Sequence, residues 1–155
     1  MGIEIERKFL VAGESWRESA SEGISYRQGY LNRSDRSSVR VRIGDGKAKL
    51  NIKSAELGSS RSEFEYTIPV TDAEQILDEL CAAPLVEKTR YIVAHAGHDW
   101  EVDVFSGDNR GLLVAEIELS HVTEEFERPA WAGQEVTDEA HYYNVCLVEN
   151  PFKNW

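Results

Sequence analysis

Apolar and charged residues alternate along most of this chain of 155 residues. Successive side chains of a β-strand point to opposite faces, so a period of two predicts strands with one charged face and one apolar face. A Gly44-Asp45-Gly46 turn adds a strong hairpin signal. The pattern predicts eight strands, over residues 3–11, 25–31, 39–43, 48–53, 63–68, 86–94, 99–105 and 112–119.

Helical periodicity interrupts the strands in three places. Residues 73–80 carry one apolar stripe, with Thr71 as the predicted N-cap and Glu74 completing a capping box. A second helix is predicted near 137–148, and a shorter helical piece near 14–20. Helices with an apolar stripe need an apolar sheet face to cover, so the fold class is mainly β with some α.

The charged strand faces carry residues of like charge at positions i and i+2. Eight strands suit a closed antiparallel barrel, which has no exposed edges. Periodicity alone leaves two interpretations open: an ordinary apolar interior with a charged exterior, or a charged lumen with the apolar faces outside. The recurrence of charge pairs on strand after strand, with few neutral polar substitutes, favours the charged lumen. The acidic residues are Glu4, Glu6, Glu63, Glu65, Glu101, Asp103, Glu116 and Glu118, and the basic residues are Lys8, Arg40, Arg42, Lys49, Lys53, Lys88 and Arg90.

A lumen with this many charges points to a particular chemistry. Buried charges are costly unless each is paired or binds a ligand. Paired carboxylates suit a hard divalent cation such as Mg²⁺ or Mn²⁺. Clustered Arg and Lys side chains suit phosphoryl oxygens, which a guanidinium binds bidentately. Together these are the groups needed for metal-assisted phosphoryl transfer.

Composition limits the partners and the compartment. Lys and Arg total 17 against 28 Asp and Glu, a net charge of −11, which argues against nucleic acid and an anionic membrane surface as partners. The length and the 41% apolar content suit one domain over residues 1–155. No apolar run reaches the roughly 18 residues of a membrane span. Cys81 and Cys146 fit no metal or redox spacing, so we expect two buried, reduced thiols in a cytoplasmic protein.

The N-terminal segment Glu4-Ile5-Glu6-Arg7-Lys8 resembles the E-x-E-x-K signature of the CYTH proteins, or triphosphate tunnel metalloenzymes. The resemblance covers essentially the whole chain and implies an eight-stranded antiparallel barrel that forms a tunnel with charged walls. Two positions depart from the family pattern: Asn51, where Thr is frequent, and Lys49, where an aromatic or aliphatic residue is expected. The other matching segments, in chain order, are 28–31, 39–42, 50–53, 63–66, 86–91, 100–103, 115–119, 133–137 and 142–144.

The resemblance also implies roles for individual residues. Asp103, with Glu63 or Glu65, would assist a second metal ion or orient water, and Lys88 would either bind phosphate or hold the attacking water. The identity of the general base stays open. The residues expected to clamp a triphosphate are Lys8, Arg40, Arg42, Lys53, Lys88 and Arg90, and those expected to bind metal, as two Mg²⁺ or Mn²⁺ ions, are Glu4, Glu6, Glu116, Glu118 and Asp103.

The function implied by the resemblance is hydrolysis of inorganic triphosphate by a metal-dependent triphosphatase. One alternative is another phosphoryl reaction in the same tunnel, such as class IV adenylate cyclisation or hydrolysis of nucleoside or thiamine triphosphate. A second alternative is a non-catalytic module that binds polyphosphate. The expected partner is a small triphosphate substrate, and the chain is expected to act as a monomer or homodimer.

Overall fold

The computed structural model describes residues 2–155, which form nine strands and two α-helices. Each of the eight predicted strands is present, with ends shifted by no more than a few residues. The strands are β1 (Ile3–Val11), β2 (Ile24–Arg33), β3 (Ser37–Gly44), β4 (Lys47–Ser54), β5 (Ser60–Ile68), β6 (Val86–His95), β7 (His98–Phe105), β8 (Leu113–Glu118) and β9 (Ala132–Glu135). The helices are α1 (Val70–Glu79) and α2 (Asn144–Glu149), and short 3-10 helices cover Ser15–Ser19, Gly107–Asn109, Ala140–Tyr142 and Phe152–Asn154.

The first eight strands form a closed antiparallel barrel in the order β5-β4-β3-β2-β6-β7-β8-β1. The barrel closes where Ile3–Ile5 of β1 pair with Ser60–Ser62 of β5. The ninth strand extends this wall by pairing with Phe9 and Val11 near the end of β1. The sequence did not predict β9, because its four residues, Ala-Gly-Gln-Glu, carry no alternation of apolar and polar positions.

The apolar strand faces point outward, and helices and loops cover most of them, although Ile3, Phe64 and Tyr66 on β1 and β5 are exposed. Val41 and Ala48, on β3 and β4, pack against Ala73 and Leu77 of α1 in one buried cluster. This packing explains why α1 has an apolar stripe although it lies on the surface of the barrel. The charged faces therefore enclose the lumen, which confirms the less usual of the two orientations considered above.

A second outer cluster is rich in aromatic side chains. The ring centroids of Phe9 and Trp100 lie 5.4 Å apart, and those of Trp100 and Trp131 lie 5.5 Å apart. The Ser15–Ser19 turn adds the fully buried Trp16 to the same cluster. This apolar packing lies outside the barrel wall and supports β1, β7 and β8 from behind.

Both helix starts were predicted at the wrong residue. The N-cap of α1 is Pro69, and no side-chain hydrogen bond caps it, so Thr71 and Glu74 lie inside the helix and the predicted capping box is wrong. The second helix begins at Asn144 instead of 137. The Thr137 hydroxyl accepts a 3.0 Å hydrogen bond from the Lys8 amide, which ties this segment to β1 rather than starting a helix.

The two cysteines are free and only half-buried, not fully buried as predicted. Among residues 2–155, no helix combines the length and the apolar character needed to span a membrane.

Candidate active site in the barrel lumen

The lumen contains a cavity of about 200 Å³ whose walls are dominated by charge. Three neutral residues from the C-terminal segment, Tyr143, Asn144 and Val145, also line it. Acidic and basic side chains of the lining are equal in number, so most of the excess acidity of the chain lies outside the lumen. The charged lining residues are Glu4, Glu6, Glu63, Glu65, Glu101, Glu116 and Glu118, with Lys8, Arg40, Arg42, Lys53, Arg61, Lys88 and Arg90.

Lys88, Arg90 and Asp103 form a buried ion network on the adjacent strands β6 and β7. Lys88 Nζ donates to Asp103 Oδ2 at 2.7 Å, and Arg90 Nε donates to Asp103 Oδ1 at 2.7 Å. Burial lowers the pKa of Lys88 to about 8, in spite of the attraction of Asp103. Burial alone would raise the pKa of Asp103, but Arg90 and Lys88 outweigh it and hold the pKa below its usual value. Hydrogen bonds to both carboxylate oxygens of Asp103 therefore organise this wall without a ligand, while the lowered pKa of Lys88 means that added negative charge would stabilise its ammonium.

The neighbouring wall is formed by carboxylates on β1 and β8, and β8 pairs directly with β7. Glu6 lies opposite Glu118 in the strand register, and Lys8 lies opposite Glu116. The Lys8 Nζ is 3.5 Å from the Glu116 carboxylate. Three of the four predicted metal-binding glutamates on these strands are buried or nearly so, whereas Glu118 is exposed at the rim of the lumen.

Two of these carboxylates, Glu6 and Glu118, lack part of the positive charge that they need, whereas Lys8 and Arg90 hold the pKa of Glu116 well below its usual value in spite of burial. Burial and repulsion by Glu116 raise the pKa of Glu6 well above its usual value. Burial, followed by repulsion from Glu4, also raises the pKa of Glu118. A raised carboxyl pKa means that the site would be stabilised by added positive charge, either a proton or a metal ion.

Arg61 is a lumen residue that the sequence analysis missed. Its guanidinium lies 3.1 Å from Glu6 and 3.4 Å from Glu4, and its centre is 5.1 Å from the centroid of the Tyr143 ring. The predicted strand began at residue 63, whereas β5 begins at Ser60 and so includes Arg61. A usable signal was present, since residues 61, 63 and 65 are spaced by two and so share one strand face.

Asn51, on β4, is one of the two positions that depart from the family pattern, and it has a clear structural role in the lumen. Its Nδ2 donates to Glu63 at 3.1 Å and to Glu65 at 3.2 Å, so one amide orients both β5 carboxylates. Lys53 Nζ lies 3.5 Å from Glu63 and 2.9 Å from Glu4, and joins this pair to the β1 wall.

Two residues of the predicted tunnel set do not line the cavity. Lys49 Nζ donates to Thr67 Oγ1 at 2.9 Å toward one end of the barrel, because the β4 residues that reach the lumen are Asn51 and Lys53. Asp103 is fully buried behind Lys88 and Arg90, where both of its carboxylate oxygens accept hydrogen bonds from these side chains.

The carboxylates are suitable ligands for a hard divalent cation, but their present arrangement is that of ion pairs. Within residues 2–155, no three His, Cys, Asp or Glu side chains are placed to hold an ion as they stand. Glu4 and Glu6 instead face Lys53 and Arg61. All-oxygen donors and the raised pKa values of Glu6 and Glu118 fit a hard divalent cation.

Comparison with known proteins identifies this arrangement. The model of the CYTH domain family matches residues 2–148. The chain belongs to the CYTH family. Membership of this family implies a requirement for a divalent metal ion, in agreement with the donor set of the lumen. A protein from Acetivibrio thermocellus named inorganic triphosphatase is 47% identical to this CYTH chain over 155 residues, covering 100% of the chain and 99% of the relative.

Further proteins are similar to this chain in sequence or in fold. An inorganic triphosphatase of Nitrosomonas europaea is 37% identical over 149 residues, covering 94% of this chain and 96% of the relative. The solved structure of the inorganic triphosphatase NE1496 superposes with a TM-score of 0.66 at 34% identity, covering 94% of this chain and 93% of that one. A structure from Pyrococcus horikoshii, PH1012, shares the fold at 19% identity with a TM-score of 0.61, covering 77% of this chain and 80% of that one.

Proposed function

We propose that this protein hydrolyses inorganic triphosphate inside the barrel lumen with the help of a bound divalent cation. The observation that carries the proposal is the lumen cavity, in which a basic wall on β6 and β7 adjoins a carboxylate wall on β1 and β8 where the pKa values of Glu6 and Glu118 are raised. The two bacterial relatives named inorganic triphosphatase, at 47% and 37% identity, support the same substrate.

The basic residues of the lumen would bind the phosphoryl oxygens. The guanidinium groups of Arg40, Arg42 and Arg90 suit bidentate contacts with phosphate, whereas Lys8, Lys53 and Lys88 act as point charges. Arg42 lies with its guanidinium centre 4.7 Å from the Tyr26 ring centroid, which holds it at the cavity wall. These residues would also stabilise the negative charge that develops on the transferred phosphoryl group.

Glu4, Glu6, Glu116 and Glu118 would hold Mg²⁺ or Mn²⁺ between the carboxylate wall and the substrate. A bound ion there would polarise phosphoryl oxygens and lower the pKa of water. We include two ions per site in the proposal, because Glu63 and Glu65 offer a second group of carboxylate oxygens. Glu63 is the candidate for orienting the attacking water, since it lines the cavity and is only partly buried.

The structure favours one role each for Lys88 and Asp103 among those that the resemblance implied. A Lys88 pKa of about 8 leaves this ammonium mostly protonated at neutral pH, which favours a phosphate-binding role over a general base. Asp103 is fully buried behind the wall, which favours positioning of Lys88 and Arg90 over metal binding.

The size of the lumen favours a small substrate. Its volume of about 200 Å³ lies below the roughly 300–1,000 Å³ of pockets that hold drug-sized molecules. A nucleoside or thiamine triphosphate would need further room for its organic part, so inorganic triphosphate fits better than the substrates of a cyclase or a thiamine triphosphatase.

We extend the proposal to partners and compartment. The substrate is the only partner that the lumen chemistry calls for, and the net charge of −11 opposes nucleic acid and anionic membranes. The free thiols of Cys81 and Cys146 suit the reducing cytoplasm. The proposal allows a monomer or a homodimer, which sedimentation of the purified protein would distinguish.

The decisive experiment measures phosphate release from triphosphate, pyrophosphate, ATP and thiamine triphosphate with Mg²⁺, Mn²⁺ or Ca²⁺. We expect triphosphate with Mg²⁺ or Mn²⁺ to give the highest kcat/KM. Formation of cyclic AMP from ATP would instead support a cyclase, and tight triphosphate binding without turnover would support a binding module.

The metal-site assignment is tested in the same assay with the double variant Glu4→Ala plus Glu6→Ala. Activity should fall at least about 100-fold, because both side chains are proposed ligands. The matched control is Glu74→Ala plus Glu79→Ala, two exposed glutamates of α1. Retained activity in the lumen variant would overturn the assignment.

A further inference from the structure

Asn144, the first residue of α2, extends its side chain into the lumen beside Lys88. Its Oδ1 accepts a 2.9 Å hydrogen bond from Lys88 Nζ and a 3.0 Å hydrogen bond from Gln28 Nε2. The three side chains come from α2, β6 and β2, so the contact joins the C-terminal segment to two walls of the barrel.

The orientation of the Asn144 amide is determined by its neighbours. An ammonium group has only donors, so the atom that faces Lys88 must be the amide oxygen. Gln28 reaches the same oxygen from behind and has no exposed surface. Its own Oε1 has no hydrogen-bond partner within the described part of the chain, a cost that an apolar residue at this buried position would avoid.

The same contact fixes the direction of the Lys88 ammonium. One proton is donated to Asp103 Oδ2 at 2.7 Å and a second to Asn144 Oδ1. Residues 2–155 place no third acceptor within hydrogen-bond distance of Nζ, and Lys88 lines the cavity. With two of three tetrahedral positions engaged, the third proton has one remaining direction.

We propose that Asn144, supported by Gln28, is a positioning residue that aims the third proton of Lys88 at a phosphoryl oxygen of the substrate. The inference rests on the proposed triphosphatase function, because it assigns the Lys88 ammonium to a phosphoryl oxygen. With Asp103 as its one acceptor, the Lys88 ammonium could rotate about that hydrogen bond. The second acceptor, Asn144 Oδ1, prevents this rotation before substrate binds. Misplacement of such a group by about 1 Å can cost on the order of 100-fold in rate.

The kinetic test replaces Asn144 by leucine, which has a similar volume and no acceptor. We expect Asn144→Leu to lower kcat by about 10- to 100-fold with KM changed by less than about 3-fold, since the other cations still bind substrate. Gln28 does not itself line the cavity and reaches Lys88 only through Asn144, so Gln28→Met should shift kcat in the same direction by less. The control Asn150→Leu makes the same chemical change at the exposed end of α2 and should leave kcat unchanged.

A double-mutant cycle separates positioning from a general structural defect. In a Lys88→Ala background, Asn144→Leu should change kcat by less than about 2-fold, because the group that it positions is gone. Equal losses from Asn144→Leu with and without Lys88 would overturn the inference.

A second readout does not depend on activity. In ¹⁵N-edited NMR of the metal-free protein at pH 6, Lys88 should give a slowly exchanging ammonium signal, assigned by its absence in Lys88→Arg. Asn144→Leu should broaden or abolish this signal, and Asn150→Leu should retain it. If the wild-type protein does not hydrolyse triphosphate but Asn144→Leu still abolishes the Lys88 signal, the proposed function is wrong and the positioning of Lys88 by Asn144 is supported. If Asn144→Leu leaves the signal unchanged, the positioning role is wrong.

Discussion

The two walls of the lumen show opposite ways of burying charge. On β6 and β7, Lys88 and Arg90 saturate Asp103 with short hydrogen bonds, and the pKa of this carboxyl falls. On β1 and β8, Glu6 and Glu118 lie near other carboxylates, and their pKa values rise. The first wall is organised before ligand arrives, whereas the second is complete only when a cation joins it. Asp103, Lys88 and Arg90 therefore shape the site without a ligand, whereas Glu6 and Glu118 would be stabilised by a bound cation.

The largest expected effect is a loss of stability in Asp103→Asn. The same acid-to-amide change on the second wall, Glu118→Gln, serves as the comparison. Asp103→Asn removes a charge whose side chain is 1% exposed and leaves two buried cations poorly compensated. We expect a loss of about 3–5 kcal/mol in the free energy of unfolding, measured by urea denaturation. Glu118→Gln, at the exposed rim, should change it by less than about 1 kcal/mol, since it relieves repulsion. Equal losses in the two variants would remove the distinction between the walls.

A smaller effect is expected in the pH dependence of stability without metal. Because the pKa of Glu6 is raised in the folded state, its stabilising contribution is complete below the usual value of about 4.3 and is lost as pH rises through the raised pKa. In chelator, the Tm of the wild type should therefore fall between pH 5 and 8 by at least about 2 °C more than that of Glu6→Gln. Saturating Mg²⁺ should reduce this difference.

The control for the pH experiment is Glu125→Gln, an exposed glutamate outside the lumen, which should keep the wild-type slope. Identical slopes in the wild type and Glu6→Gln would show that the carboxylate wall does not lack positive charge.

The smallest expected effect concerns Lys49 on β4, which lies beyond both walls and outside the cavity lining. Lys49 shares a strand face with Asn51 and Lys53 but donates to Thr67 outside the cavity lining. We expect Lys49→Ala to change kcat/KM by less than about 2-fold and the free energy of unfolding by less than about 0.5 kcal/mol. Lys53→Ala, its matched lumen variant, should raise KM several-fold. A similar rise in KM for Lys49→Ala would show that the substrate-binding surface reaches Lys49 as well as Lys53 on β4.

The sequence by itself determined the strands and the charged residues that each one presents, because a period of two is a local property of the backbone. Eight strands were predicted from it, together with all of the acidic residues and six of the seven basic residues that line the cavity. Periodicity left open which face was inside, and the resemblance to the CYTH proteins favoured the charged lumen. Packing of α1 against the apolar outer face of β3 and β4 decides the orientation.

Only the tertiary structure decided which charges meet and which lie behind the wall. The sequence does not predict that Asp103 lies behind the cavity lining and binds Lys88 and Arg90 there. Nor does it predict that Asn144, at the start of α2, reaches the lumen. Such contacts join residues 56 positions apart, as Lys88 and Asn144 are. Local patterns specify the direction of a side chain on its own strand, but barrel closure and the path of the C-terminal segment specify what it faces.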